Sequence, residues 1–308
     1  MVEYARSTLI IPTTGNPKIV EPLFESIIKN TKGSYSVWAI KQQIQHEDAE
    51  ECYEKWQGKK PLWNFIPGND NMILSARNIG LLDSYIPYNH IEPERWYFEM
   101  DDDIVLPPNW DEDIIRNAET KPDGAIFVPL MTFKSDLNYK DQVVALPKLI
   151  WEAMENGNVE MISDFYSKTL QTDKIKLKQC ILPEYSFIMR SNKYLLPLLW
   201  DTAFDVVRNA SRANEDLMLR LHKLQAKAYI IRTVIIFHYA RHRDEKHPLR
   251  HFCAGTLSEY FEEKHGKPGN VLLKKALRSN GDHYKKHHAQ VNMVKKVKDH
   301  WLLSYKKG

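Results

Sequence analysis

Three consecutive aspartates, Asp101, Asp102 and Asp103, follow the apolar run RWYFEM at residues 95–100. Adjacent carboxylates repel one another unless a positive charge lies between them, and a divalent cation with oxygen ligands would relieve that repulsion. Bound there, Mg²⁺ or Mn²⁺ can neutralise a diphosphate leaving group. Aspartate runs also cap helices or lie in solvated loops, but here an apolar run leads directly into the carboxylates. We therefore interpret the triplet as a metal site.

Two further features could act together with this triplet. Glu215 and Asp216 open a helical pattern, where acidic residues often serve only as complements of the helix dipole. Beside a metal site, however, they offer a carboxylate that can take a proton from an attacking hydroxyl. His238 closes an apolar run, and an imidazole can join two carboxylates around Mn²⁺ or Mg²⁺, although a lone histidine is more often structural.

Strand and helix patterns alternate along the chain and must position these residues. The apolar runs typical of strands are residues 7–11, 35–40, 63–66, 95–100, 124–129, 185–189 and 228–239. The helical patterns are residues 17–30, 48–56, 75–85, 146–155 and 215–225. This alternation predicts an α/β fold with a mostly parallel central sheet flanked by helices. Ligands of such sheets gather at the carboxyl ends of the strands, where the triplet and His238 are expected to lie.

Length and composition predict a folded, soluble protein. With 308 residues, 43% of them apolar and 27% charged, the chain suits one large domain or a domain with an appendage. No apolar run is long enough to span a bilayer, and the first residues do not resemble a signal peptide. The three cysteines are far apart and form no CxxC pair, which argues against a disulfide framework. We expect a cytoplasmic protein, in the host cytoplasm if a phage encodes it.

Charge divides the chain into two parts. Residues 1–240 carry 27 Lys and Arg against 33 Asp and Glu, whereas residues 241–308 carry 16 against 7, together with eight of the twelve histidines. We predict a catalytic domain over residues 1–240 and a basic helical C-terminal extension over residues 241–308, with helices near 256–265 and 283–303. Such an extension is typical of a segment that meets a polyanion, or it forms simple solvated helix faces.

The order of the motifs resembles the family 2 glycosyltransferases with the GT-A fold. Residues 7–28 (STLIIPTTGNPKIVEPLFESII) are similar to the family's opening strand, loop and helix, and residues 75–81 (SARNIGL) to its ArN-Gly helix. Residues 100–104 (MDDDI) resemble the DxD strand end, in the form found in galactofuranosyltransferase-like members, and residues 214–220 (NEDLMLR) resemble the Glu-Asp motif. The resemblance covers about three quarters of the chain and implies the nucleotide-diphospho-sugar transferase fold and activity.

The resemblance also implies which residues hold the donor, a nucleoside-diphosphate sugar for which a UDP-sugar is the first expectation. Pro12, Thr13 and Thr14 match the loop beneath the nucleotide base, and Arg77 and Asn78 match residues beside the donor. In the family an Asp-rich stretch that recognises the base follows the second strand, whereas here residues 39–43 read AIKQQ. The chain therefore departs from the family at the position that recognises the uracil base.

For the metal and the chemistry, the resemblance assigns roles to the residues singled out above. Asp101 and Asp103 would hold Mn²⁺ or Mg²⁺ and the diphosphate, with His238 as the third metal ligand, and Asp102 would lie next to the ribose or the sugar. Asp216 would be the catalytic base, with the preceding glutamate as the second candidate. The implied reaction is an inverting transfer in which the base deprotonates an acceptor hydroxyl that attacks the anomeric carbon opposite the nucleoside diphosphate.

The acceptor is not implied by the resemblance, so the basic extension is the remaining clue. Basic helices with a few aromatic residues suit phosphate backbones, which indicates a hydroxymethylated pyrimidine in phage DNA as one acceptor. A base inside duplex DNA would have to be flipped out to reach the site. The alternative is that the extension binds an anionic membrane surface and the enzyme builds a cell-envelope polysaccharide or glycolipid.

Three other interpretations remain open at this point. A nucleotidyltransferase could use a similar sheet and acidic metal site, but the chain has only 12 glycines and neither GxGxxG nor GxxxxGK[ST] to hold a triphosphate. A non-catalytic binding protein would not need the triplet, the Glu-Asp motif and the strand-end histidine together. A zinc site is conceivable from four histidines, without a cysteine partner: His238, His242, His247 and His251.

Overall fold

A mixed sheet of nine strands lies at the centre of the described part of this computed structural model, and helices flank it. The described residues are 5–42, 45–57, 59, 62–68, 73–85, 95–132, 147–180, 187–204, 213–239 and 259–266. The strands are β1 (Ser7–Thr13), β2 (Tyr35–Lys41), β3 (Leu62–Pro67), β4 (Trp96–Met100), β5 (Ile104–Val105), β6 (Gly124–Thr132), β7 (Leu177–Cys180), β8 (Phe187–Ser191) and β9 (Lys227–His238). The helices are α1 (Pro17–Asn30), α2 (Ala49–Gln57), α3 (Ile73–Tyr85), α4 (Trp110–Glu119), α5 (Lys148–Glu155), α6 (Val159–Thr169), α7 (Ala213–Lys223) and α8 (residues 259–266).

The sheet is parallel in its first half and mixed in its second. Strands β3, β2, β1 and β4 pair in parallel in that order. Strand β8 pairs antiparallel with β4 and β6, β9 lies parallel to β6, and β5 and β7 pair antiparallel with β9. The predicted α/β fold with a central sheet flanked by helices is therefore confirmed, with a mixed sheet where a mostly parallel one was predicted. The direction of β8 could not be predicted, because strand direction depends on the connecting segments rather than on the strand's own residues.

The first strand and helix follow directly from their residues. All seven residues of β1 are buried, as expected for a strand of a parallel sheet that is covered on both faces. The Asn16 side chain accepts a hydrogen bond from the Lys18 backbone N–H and so caps α1, which begins at Pro17. The apolar stripe of α1 includes Leu23 and Phe24 and is buried. This packing fixes the loop between β1 and α1 at the carboxyl edge of the sheet.

Helix α4, which the sequence patterns did not predict, packs against β9 and β6, and its first residue, Trp110, reaches β4. The Trp110 ring lies edge-on to Phe98 and Phe187, with centroids 5.0 and 5.7 Å apart. Asp111 accepts hydrogen bonds from the backbone N–H groups of Lys32 and Gly33, at 3.1 and 2.7 Å. The first turn of α4 contains three acidic residues. Its composition therefore resembles that of the aspartate triplet before it, so the sequence carried no clear sign of a helix. The contacts of Trp110 and Asp111 fix the chain soon after the aspartate triplet.

Part of the predicted extension lies outside the described residues. This holds for the predicted helix at 283–303 and for the boundary between residues 240 and 241, which stays a prediction. The helix expected near 256–265 is present as α8 within the described part. Its Phe261 is fully buried in a cluster with residues of α7. No helix in the described part of the chain is long and apolar enough to cross a bilayer.

A buried ion pair holds β8 against β4 beneath the triplet. The Glu99 carboxylate pairs with the Arg190 guanidinium, and both side chains are 0% exposed. The Trp200 indole N–H donates to the other Glu99 oxygen, and Arg190 donates to the Leu198 carbonyl. A buried charge is tolerated only when such partners replace its hydration. The pair therefore orders the segment at 196–204 relative to the sheet.

We expect Arg190→Met to lower the free energy of unfolding by about 3–5 kcal/mol, because it leaves the Glu99 carboxylate buried without its partner. Urea denaturation of the full chain measures this change. The matched control is Lys168→Met, which removes an exposed ion pair with Asp164 within α6 and should cost no more than about 0.5 kcal/mol. Equal losses for the two variants would contradict a structural role for the buried pair.

Candidate functional site

The candidate site begins where β4 ends, because Asp101, Asp102 and Asp103 follow Met100 directly. Immediately after the triplet, β5 pairs antiparallel with β9 so that Ile104 lies opposite His238. This register brings His238 Nε2 to 3.0 Å from Asp103 Oδ1. One ligand atom each from Asp101, Asp103 and His238 lie within 4.8 Å of one another. Two carboxylate oxygens and one imidazole nitrogen suit Mn²⁺ or Mg²⁺.

Arg77 on α3 pairs with Asp101, the first member of this group. Its Nη2 lies 2.6 Å from Asp101 Oδ1, and its side chain is fully buried. Asn78 uses its side-chain amide on the backbone of Trp200, donating to the carbonyl at 2.8 Å and accepting from the N–H at 2.9 Å. Arg77, predicted to lie beside the donor, thus borders the triplet, and its neighbour Asn78 anchors the segment that contains Trp200. Their contact with a donor stays a prediction.

Asp101, Asp103 and His238 are called the metal group, as candidate ligands. Asp102 is not part of this group and is held instead by the end of β1. The Thr13 hydroxyl donates to Asp102 Oδ2 at 2.8 Å and accepts a hydrogen bond from the Gly15 backbone N–H at 3.0 Å. Burial and, secondly, the charge of Asp103 raise the pKa of Asp102 to about 7. The three carboxylates therefore repel one another, and a divalent cation held by the triplet would offset that repulsion.

The loop of Pro12, Thr13 and Thr14 lies at the carboxyl ends of β1 and β2. The Gln42 backbone N–H donates to the Thr13 carbonyl at 3.0 Å, which continues the pairing of the two strands. Gly15 follows with a φ of +72°, and a Cβ there would lie 2.4 Å from the Tyr53 hydroxyl, so a side chain is excluded at this position. The loop is thus rigidly placed beside Asp102. Its predicted position beneath a nucleotide base stays a prediction.

Asp216, the predicted base, lies in the first turn of α7 and its side chain is 1% exposed. Arg220 Nε lies 2.9 Å from its Oδ2, while Lys264 Nζ and His265 Nε2 lie 2.7 and 2.8 Å from its Oδ1. Glu215 is partly exposed. The two α8 partners of Asp216 were not among the residues predicted from the sequence. The histidine-rich composition of the extension was the only available signal, and it does not distinguish one histidine from the others.

A second group of residues could in principle hold a cation. His46, Glu47 and Asp48 bring their ligand atoms within 4.8 Å of one another, but Glu47 and Asp48 are exposed, and exposed acidic groups are common without a metal. Three residues of the conceivable zinc site lie outside the described residues: His242, His247 and His251. The fourth, His238, belongs to the group with Asp101 and Asp103.

Comparison with known proteins identifies the fold. No protein-family model matches the sequence, and no curated protein matches it significantly. Among solved structures, the chain is similar to the crystal structure of GalNAc-T7 with UDP, GalNAc and Mn²⁺, with a TM-score of 0.54 and 13% sequence identity. The match covers 78% of this chain and 45% of that one, so this chain spans less than half the length of the protein it matches. The likeness confirms the GT-A fold; membership of family 2 and the galactofuranosyltransferase-like variant stay predictions.

Proposed function

We propose that the protein is a metal-dependent glycosyltransferase that moves a sugar from a nucleoside-diphosphate sugar to an acceptor hydroxyl. The observation that carries the proposal is the group of Asp101, Asp103 and His238 at the carboxyl edge of a GT-A sheet. The similar structure contains UDP, GalNAc and Mn²⁺, which supports a UDP-sugar as the donor and Mn²⁺ as the cation. Mg²⁺ is the second candidate, since its ligand preferences overlap with this donor set.

The residues around the triplet suit a donor site. Asp101, Asp103 and His238 would hold the cation, which when bound neutralises the charge of the departing diphosphate. Arg77 fixes the orientation of Asp101 through its buried guanidinium. Thr13 fixes Asp102, which we place next to the ribose or the sugar. Since Arg77 and Thr13 hold these carboxylates, the donor would meet side chains that the protein itself orients.

We propose an inverting reaction with Asp216 as the general base and Glu215 as the second candidate. The base takes the proton of the acceptor hydroxyl, whose oxygen forms the new bond to the anomeric carbon. The bond from that carbon to the diphosphate oxygen breaks, and its electron pair leaves with the nucleoside diphosphate. An ionised carboxylate has about four acceptor positions. Among the described residues, three side chains contact the Asp216 carboxylate, so it has the capacity for a fourth hydrogen bond, which we assign to the sugar-accepting hydroxyl.

The charge of residues 241–308, 16 Lys and Arg against 7 Asp and Glu, supports an acceptor that is anionic or lies on an anionic surface. We propose a hydroxymethylated pyrimidine in DNA as the acceptor, with the base flipped out of the duplex. A cell-envelope glycan or glycolipid is the alternative. We expect a gel shift with hydroxymethylpyrimidine DNA that weakens steeply as salt rises, because binding releases counterions. Binding to anionic vesicles, together with no gel shift of the DNA at low salt, would instead favour the cell-envelope glycan or glycolipid as the acceptor.

A release assay tests the proposed function. We expect free nucleoside diphosphate from at least one member of a panel of nucleotide sugars with Mn²⁺, and none when EDTA replaces the metal. The panel is run with and without hydroxymethylpyrimidine DNA, so that transfer and hydrolysis are separated. Absence of both release and Mn²⁺-dependent UDP binding would contradict the proposal. Pyrophosphate release from nucleoside triphosphates would instead identify a nucleotidyltransferase.

A further inference from the structure

Helix α8, a part of the predicted extension, contacts Asp216 through two adjacent residues. Lys264 Nζ and His265 Nε2 both lie within 2.8 Å of Asp216 Oδ1. The His265 side chain is 2% exposed and that of Asp216 is 1% exposed. A carboxylate removed from water to this extent needs partners of this kind to remain charged. The environment of Asp216 is thus set by a helix that is distant from it in sequence.

Independent contacts hold α8 in this position. Phe261 is fully buried, and its ring centroid lies 6.4 Å from that of Phe204. The Tyr260 ring packs on Phe204 with centroids 5.0 Å apart, and its hydroxyl donates to Asp201 Oδ2 at 3.0 Å. Lys264 Nζ lies 2.5 Å from the same Asp201 oxygen and so bridges the carboxylates of Asp201 and Asp216. Aromatic packing and hydrogen bonds therefore fix α8 against residues 201–204, and its contacts with Asp216 fix it against α7.

A chain of contacts through the segment at 196–204 and α3 connects α8 with the metal group. Asp201 follows Trp200, whose backbone is held by Asn78. The residue before Asn78 is Arg77, which pairs with the first aspartate of the triplet. Trp200 therefore contacts α3, which carries Arg77 beside the triplet. Asp201 contacts α8, which carries the two partners of Asp216. A displacement of α8 would be transmitted to the predicted base without passing through the sheet.

We propose that α8 completes the acceptor side of the active site, with Lys264 and His265 as positioning residues that act through Asp216. Among the described residues, these two contact Oδ1 and Arg220 contacts Oδ2, so we place the hydrogen bond of the sugar-accepting hydroxyl on Oδ2. Lys264 Nζ bridges the carboxylates of Asp201 and Asp216, and His265 Nε2 adds a directed hydrogen bond to Asp216 Oδ1 at 2.8 Å. Preorganisation of this kind places the base within reach of the hydroxyl before reaction. The inference rests on the proposed function.

The first experiment compares variants of the full chain in Mn²⁺-dependent release of UDP, with water as the acceptor and the UDP-sugar that the wild type hydrolyses fastest. We expect His265→Ala and Lys264→Met to lower release by about 10- to 100-fold, while UDP binding measured by calorimetry with Mn²⁺ stays unchanged. His265→Gln keeps an N–H donor near the position of Nε2 and should retain most of the activity. Glu263→Gln, on an exposed position of α8, is the matched control and should behave as the wild type.

The second experiment repeats the His265→Ala change in an Asp216→Asn background. If His265 acts through Asp216, its removal has no further effect once the carboxylate is gone, so the two losses do not multiply. A merely structural role would give losses that multiply, or would lower activity and the unfolding temperature equally in the Gln and Ala variants. Either result, or wild-type release by His265→Ala and Lys264→Met, overturns the inference. A wild type that neither binds UDP with Mn²⁺ nor releases it overturns the proposed function and, with it, the role of α8.

Discussion

Asp103→Ala is expected to abolish Mn²⁺-dependent binding of UDP by the full chain. Asp103 supplies one of the two carboxylates in the metal group and contacts His238 Nε2 at 3.0 Å. The carboxylate that remains, Asp101, already pairs with Arg77, so the cation would keep only this shared carboxylate and an imidazole. Removal of a residue that hydrogen-bonds a metal ligand typically lowers metal affinity about 10- to 100-fold. Removal of a ligand itself should lower it by more than about 100-fold. Calorimetry with UDP, in Mn²⁺ and in EDTA, measures the effect.

The second acidic group provides a matched control for this variant. Asp48→Ala removes a carboxylate from the group of His46, Glu47 and Asp48, where the aspartate is exposed. We expect UDP binding and its Mn²⁺ dependence to stay at the wild-type level. If Asp103→Ala bound UDP with the same affinity in Mn²⁺ and in EDTA as the wild type does, the metal role of the triplet would be wrong. Equal losses in the two variants would indicate a general effect of removing acidic charge.

The position of the metal group could be predicted from local sequence. An apolar run that ends in Asp101 predicts a buried strand with its carboxylates at the strand end, and β4 ends at Met100. The apolar run before His238 likewise predicts a strand end, and β9 ends at that residue. Strand ends on one edge of a sheet lie close together. The residues at two strand ends were therefore enough to predict that the triplet and His238 lie near one another. The antiparallel pairing of β5 with β9, which sets the 3.0 Å contact with Asp103, carries no such local signal.

The surroundings of Asp216 could not be predicted in the same way. Lys264 and His265 lie in a basic stretch where lysines and histidines are frequent, and nothing in their spacing distinguishes partners of a buried carboxylate from solvated residues. The same holds for Arg190, which pairs with Glu99 across 91 residues. Long-range pairs of this kind depend on the packing of whole elements. Sequence patterns therefore predicted that Asp101, Asp103 and His238 lie at strand ends, but not the long-range contacts around the candidate residues.

Asp216→Asn is expected to lower turnover by about 10² to 10⁴-fold, the usual contribution of a general base, and to leave Mn²⁺-dependent UDP binding unchanged. The amide keeps the shape of the side chain but cannot take the proton of the acceptor hydroxyl. UDP release from the nucleotide sugar measures turnover, and calorimetry with UDP measures binding. An interaction made only in the transition state should affect turnover and leave donor affinity intact.

Glu215→Gln is the matched control, since Glu215 precedes Asp216 in the first turn of α7 and is partly exposed. We expect this variant to turn over within a few-fold of the wild type. A large loss in Glu215→Gln with normal turnover in Asp216→Asn would assign the base to Glu215 and leave Asp216 as the anchor of α8. The amide introduced by Asp216→Asn would also present its N–H₂ group to one of the three partners of this side chain, Arg220, Lys264 and His265, so thermal unfolding of this variant must be compared with that of Lys264→Met. Loss of activity at an unchanged unfolding temperature would then report the chemistry of the carboxylate rather than the packing around it.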